Sequence, residues 1–233
     1  MRKWLIIPMA GLMILGISHR AWGDPVLFQW MFNTDSTIYD SYGTDGSSTP
    51  PGNVNMAGFN AVTGLGSITV QFATPGSHNF IAFLDHELAQ TDPYGFSDEF
   101  GAAVGTSGVG QSWEIDEPGF TFGDIYYNVL DGILDNTNGV PSGALDDVST
   151  ALAWNFILSA DETATLQLRV GTTAPTSGFY LTQTDADSNY SIYFSSTLDI
   201  QSTAAPVPEP GTLLLLGSGL AGLFGLGRRR LQK

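Results

Sequence analysis

Three groupings in this sequence have the residue types and spacing that chemistry uses: a histidine between carboxylates, paired acids, and an alternating acidic turn. His86 lies in Asp85-His86-Glu87-Leu88-Ala89-Gln90. A zinc protease needs two histidines one helical turn apart so that both face the metal, and position 90 is Gln. Between Asp24 and Val207 the only histidines are His78 and His86, which leaves few parts for a histidine metal site or a catalytic triad. His86 therefore reads as an ordinary edge or turn residue.

Carboxylates recur in close pairs: Asp98 with Glu99, Glu114 with Asp116 and Glu117, Asp146 with Asp147, and Asp161 with Glu162. Glycosidases hold two such groups across a sugar bond, so a secreted glycoside hydrolase is one alternative. A chain this acidic also makes pairs by chance. The segment Gln111 to Gly119 sets Trp113 beside three acids, which suits sugar contact or, more simply, a packed core or rim position. Asp185-Ala186-Asp187-Ser188-Asn189 places oxygens at alternate positions, as calcium requires. The EF-hand pattern then breaks, with Tyr190 where Gly is needed and Ser196 in place of the final Glu. Asp185, Asp187 and Asn189 are thus incomplete calcium candidates, and a solvated turn is the alternative.

The elements that must position these residues look like strands. Val26 to Phe32 and Ser67 to Phe72 carry apolar or alternating patterns, and Thr74 to Ser77 turns the chain into Phe80 to Leu84. Phe120 to Val129 reads as another such run. Ala151 to Leu158 and Ala164 to Val170, joined through Ser159 to Glu162, read as a hairpin; Gly178 to Thr182 and Tyr190 to Phe194 read as closing strands. Asp35 to Asn55 and Asp131 to Asp147 are rich in turn formers and read as long connections. The expected fold is all-β, an antiparallel β-sandwich of jelly-roll type.

Composition narrows the function. The 233 residues are 42% hydrophobic and 12% aromatic, with 28 Gly and 13% charged, which favours strands and turns over a helical bundle. The absence of cysteine excludes disulfides, cysteine-ligated metals and a thiol nucleophile. Net charge is −15, which repels phosphate backbones and excludes nucleic acid as a partner. Seven of the eight basic residues lie in the first 20 or last 6 positions, and Arg169 alone stands between Asp24 and Val207. That stretch holds 22 of the 23 acids, so its formal charge is −21.

Basic residues beside apolar runs mark membrane targeting at both ends. Arg2 and Lys3 precede an apolar stretch from Trp4 to Ile17, and Ala21 and Gly23 stand where signal peptidase requires small residues. Residues 1–23 are expected to be a cleaved signal peptide, and residues 24–205 the exported ectodomain. Residues 206–233 form a third unit. Pro208-Glu209-Pro210 ends any strand or helix, Gly211 to Gly227 is free of charge, and Arg228-Arg229-Arg230 closes the run. At ~1.5 Å per residue such a run makes a short transmembrane helix of about 25 Å, with the arginines cytoplasmic and the body outside.

This order of motif, apolar helix and arginine cluster resembles the PEP-CTERM sorting signal of exported Gram-negative bacterial proteins. The resemblance covers only the C-terminal tail. It implies processing by exosortase near Pro208-Glu209-Pro210, after transient anchoring in the inner membrane, and passage to the cell surface or beyond. It also implies an association with extracellular polysaccharide and biofilm. The leading expectation is an exported, non-enzymatic surface or matrix protein without a cofactor. A carbohydrate-binding module, assisted by calcium, is the alternative.

Overall fold

Alternating and doubly apolar segments assemble into eleven strands and one helix in a computed structural model, which describes residues 25–88, 98–118, 123–202, 211 and 215–220. In chain order they are β1 (Val26–Thr34), β2 (Thr37–Asp40), β3 (Val54–Phe59), β4 (Gly66–Phe72), β5 (Gly76–Glu87), β6 (Glu99–Val104), β7 (Gln111–Asp116), α1 (Ile125–Asp131), β8 (Ser149–Leu158), β9 (Glu162–Gly171), β10 (Tyr180–Asp185) and β11 (Ser191–Ser202). Sheet I has the order β2-β1-β5-β8-β7, and sheet II the order β3-β4-β9-β11-β10-β6. Every pairing within both sheets is antiparallel. Trp30, Phe32, Phe80, Ala82 and Leu84 of sheet I meet Val70, Leu166, Leu168, Ile192 and Phe194 of sheet II in the core between them. The antiparallel sandwich expected from the pattern is present.

Sheet I is buried on both faces. Met31, Ile81, Phe83, Ala151 and Ala153 point away from sheet II and pack under Ile125, Tyr126 and Val129 of α1. This explains why Phe80 to Leu84 is apolar at every position while β9 and β10 alternate. The expected strand over Phe120 to Val129 is corrected here: residues 119–122 lie outside the described residues, and the remainder enters α1. Ile125 and Val129 are one turn apart and share a face, a spacing that a short apolar run hides. Gly132, at φ 80°, accepts the left-handed geometry that ends the helix.

A second correction concerns the proposed hairpin between β8 and β9. Both strands exist, but β8 pairs with β5 and β7, whereas β9 pairs with β4 and β11. The Ser159–Asp161 link carries the chain from one sheet to the other, with Glu162 N–H donating to the Ser159 carbonyl. Alternation shows that one face of each strand is buried without naming its ladder partner, and here the two apolar faces meet across the core. The Asp35 to Asn55 connection is partly ordered too. Asp35 and Ser36 both take positive φ (49° and 67°), the conformation of a two-residue hairpin turn, and so pair β2 with β1.

Candidate functional site

The acidic residues that sequence spacing scattered come together at the end of sheet I where β5 finishes and β8 begins. Asp85 and Glu87 follow Ile81 and Phe83 on the α1-facing side of β5. Asp85 pairs with Ser149 of β8, so Asp147, two residues earlier, is the same-face neighbour of Glu87. On the other side of β8, Asp116 pairs with Ser149, and Glu117 follows it. Glu99 comes from β6 in sheet II, where its backbone exchanges two hydrogen bonds with Asp146. Its Oε1 accepts from Leu88 N–H at 2.9 Å, and its Oε2 from the Gln183 amide.

Asp85 and Glu99 are buried and Glu87 and Asp147 half-buried, and among the described residues no Lys or Arg side chain pairs with them. Asp85 is 3% exposed, and burial pushes its carboxyl well above the usual range, with Asp147, Glu87, Glu99 and Glu117 adding to the rise. Burial lifts Glu99 to about 8, against the hydrogen bonds from Leu88 and Gln183. Asp147 rises to about 7, through burial first and then the charges of Glu87 and Glu117. Glu87 rises by burial. Asp85 Oδ1, Glu87 Oε2 and Asp147 Oδ1 are buried and accept no hydrogen bond. Arg169, the lone basic residue of the body, sits instead on the open face of sheet II. Such an arrangement can retain protons at neutral pH.

A second acidic group lies beside α1. One oxygen from each of Glu114, Asp124 and Asp135 lies within 4.8 Å of the others. Glu114 is fully buried, yet both its oxygens accept from Asn128 Nδ2, at 3.0 and 3.1 Å. Burial lifts its pKa to about 8 against the Asn128 bonds. The difference from the Asp85 group is therefore satisfaction, not charge alone.

The residues singled out by spacing fare unevenly. Asp185 Oδ1 accepts from the N–H groups of Asp187 and Ser188, at 2.8 and 2.9 Å, while Asp187 and Asn189 are exposed. That is a local turn cap. His86 is corrected from an edge or turn residue to a core one: it is 0% exposed, edge-on to Phe194, and burial lowers its pKa to about 4. Gly64 makes room for it, since a Cβ there would come within 1.9 Å of His86 Nε2. Trp113 is half-buried against the core and Phe179, as a rim residue. Ala21 and Gly23, Pro208, Glu209 and Pro210, and Arg228, Arg229 and Arg230 all lie outside the described residues. The buried acidic end itself escaped notice in the sequence. Its signal was there: Asp85 and Glu87 continue a doubly apolar strand, in a body almost free of basic residues.

Sheet II leaves its outer face open. A groove on it is lined by Gly58, Ser67, Arg169, Thr172, Tyr193 and Ser195, with Tyr180 edge-on to Tyr193. No carboxylate lines it.

In the tail, Gly211 accepts from Leu215 N–H, residues 215–220 are helical, and Leu215, Leu216 and Leu220 are exposed. Among the described residues no helix is long and apolar enough to cross a membrane. The PEP-CTERM protein-sorting motif matches residues 206–230. The chain carries a PEP-CTERM sorting motif. The motif implies an exported, membrane-processed protein that is a substrate of exosortase. No curated protein and no solved structure matches the chain.

Proposed function

We propose that this protein is an exported, non-enzymatic component of the cell surface or extracellular matrix, delivered by exosortase and associated with extracellular polysaccharide. The matched tail carries this reading. Pro208 and Pro210 keep the motif extended and short of backbone donors, a shape suited to an enzyme groove. The apolar run from Gly211 to Gly227 holds the motif at the outer surface of the inner membrane as a transient transmembrane anchor, and Arg228 to Arg230 fix the body outside. Signal peptidase acts first, after Gly23. A plain anchor needs the helix and arginines but tolerates any linker.

The test replaces Pro208, Glu209 and Pro210 with Ala and leaves 211–233 intact. In a host with exosortase, an unprocessed membrane-held precursor is expected to accumulate. Release of the substituted protein with its tail removed, as efficient as the original, rejects the reading.

A second reading, a carbohydrate-binding module, is favoured by the open face of sheet II. Tyr193 supplies a ring, and Arg169, Ser195 and Thr172 supply polar groups beside it. Retention on the host's own polysaccharide, lost in Tyr193→Ala, would select it. The hydrolase alternative has less behind it, because that groove lacks a carboxylate pair.

A further inference from the structure

Taking the open face of sheet II as carbohydrate-binding, on which this inference rests, we propose that its groove takes the carboxylate of an acidic sugar, with Arg169 pairing the carboxylate and Tyr193 flanking the sugar ring. The segments that build the groove, 46–84, 163–184 and 188–198, contain no Asp or Glu, although the body around them has a formal charge of −21. That body's one basic residue, Arg169, stands among them. Across the sheet, Arg169 of β9 is set between Ser67 of β4 and Ser195 of β11, with Gly58 of β3 beyond Ser67. The flanking serines are too short to cover it. Arg169 is exposed, and among the described residues no carboxylate pairs with it. The first acid along β11 on the same face, Asp199, lies opposite Thr165. Thr165 is four residues from Arg169 on β9, or about 13 Å at ~3.3 Å per residue.

The chemistry selects the ligand. A guanidinium is a planar fork that meets a carboxylate through two parallel hydrogen bonds, and one such group balances one negative charge. A doubly charged phosphate would keep a charge for which this face holds no second cation. The groove has about 420 Å³ of free volume, and its Ser67, Ser195 and Thr172 hydroxyls can exchange hydrogen bonds with those of a sugar. Tyr193 is paired with Gly171, so β9 sets no side chain against its ring, and Tyr180 holds it edge-on at 6.0 Å between centroids. A ring kept open in this way gives the apolar face of a sugar a surface to stack on. Elsewhere the body repels anions. At physiological salt the screening length is ~8 Å, so Asp199 scarcely reaches the groove, but a polymer charged on every unit would still meet the other acids. The fitting ligand therefore carries uronic acid residues spaced among neutral sugars, admitted at this groove and turned away from the rest of the surface.

The test uses the full chain in mild detergent and two tetrasaccharides, one of three glucose residues and a glucuronic acid, the other its carboxyl-reduced form of four glucose residues. Titration calorimetry is expected to show the parent holding the acidic sugar roughly tenfold tighter than the neutral one. Arg169→Gln should erase that preference while keeping the affinity for the neutral sugar. Arg169→Lys, which keeps the charge without the fork, should retain only part of the preference. Tyr193→Ala should weaken both sugars alike. Equal affinity for the two sugars in the parent, or a preference unchanged in Arg169→Gln, overturns the proposal and leaves the carbohydrate-binding face standing. Binding of neither sugar overturns it too, and the face itself is then judged by retention on the host's polysaccharide. Loss of parent self-association in Arg169→Gln, without sugar binding, would assign the groove to a carboxylate of a second copy instead. Comparing the two sugars on the parent needs no variant, so a misfolded one does not shield the proposal.

Discussion

The outward faces of the two sheets differ in what covers them, and chemistry follows the cover. Sheet I is roofed by α1 and by the segments leading into β8, so its outer face holds Ile81 and Phe83 together with buried acids. Among the described residues nothing covers sheet II, and its outer face carries Ser67, Gln167, Arg169, Tyr193 and Ser195 in solvent or at half burial. Acids under the roof are lifted toward neutral pH, because desolvation penalises the charged form. The difference teaches that charge density along this chain says little. What matters is which of the charges a neighbouring element shuts away from water.

The sharpest way to break the comparison is to empty the roofed face. Phe83 is fully buried, edge-on to Tyr126 at 6.1 Å between ring centroids. Phe83→Ala is expected to cost ~3–5 kcal/mol in urea unfolding, the usual range for a core aromatic. Gln167→Ala, exposed on β9, should fall within about 0.5 kcal/mol of the parent. Comparable small effects at both positions would mean that α1 does not close sheet I.

Legibility followed the same divide. Strands with one wet face announced themselves: β4 and β9 alternate, and β10 and β11 were readable as two closing strands. β1 and β5 were readable as apolar runs, but their two-sided burial was not, since a continuous run does not say what lies on each side. The roof itself was misread, because α1 is too short to establish a helical period and forms through packing rather than propensity. β8 and β9 were found and wrongly paired, since alternation is blind to which sheet a strand joins. In the acidic site, spacing drew attention to Asp85-His86-Glu87 for the wrong reason: the histidine faces the core, and the two acids face the other way. Asp147 and Glu117 reach them only through strand register, which is a long-range fact. The sorting motif of the tail was legible, because targeting signals are linear.

A middle-sized effect comes from pH. Glu99, Glu114 and Asp147 bind protons more tightly folded than unfolded, with values near 8, 8 and 7 against ordinary values of 4.5, 4.5 and 3.8. Asp85 and Glu87 shift the same way. A raised folded pKa means stability that is complete below the unfolded value and lost as pH climbs through the folded one. His86 opposes this at the acid end: neutral when folded down to about pH 4, it costs stability below its ordinary 6.5. Several acids outweigh the one histidine, so stability should peak at about pH 4–5 and fall by at least several kcal/mol toward pH 8. Denaturant midpoints across that range read it directly. A steady rise from pH 5 to 8 would show that the roofed acids are solvated after all.

The smallest effect lies at the other end of β5, where an acid does have its partner. His78 Nδ1 meets Asp35 Oδ2 at 2.9 Å, and its Nε2 meets the Thr74 carbonyl at 2.8 Å. Burial between Phe72 and Phe156 by itself lowers the imidazole pKa, but the Thr74 carbonyl and then Asp35 outweigh it, so His78 holds its proton above the usual 6.5. The sign is again that of a raised pKa: the stabilisation is present below pH 6.5 and fades as pH rises through the folded value. Asp35→Asn keeps an oxygen for the Asn79 N–H and removes only the charge. With Asp35 at 45% exposure, water screens the pair, and the expected cost is under about 1 kcal/mol at pH 5 and close to nothing at pH 8.5. An NMR titration of the His78 ring should show its pKa fall in the variant, and an unmoved value would remove Asp35 from the account. One strand then carries both cases: an acid paired and half in water at its start, and acids with buried, unpartnered oxygens at its finish.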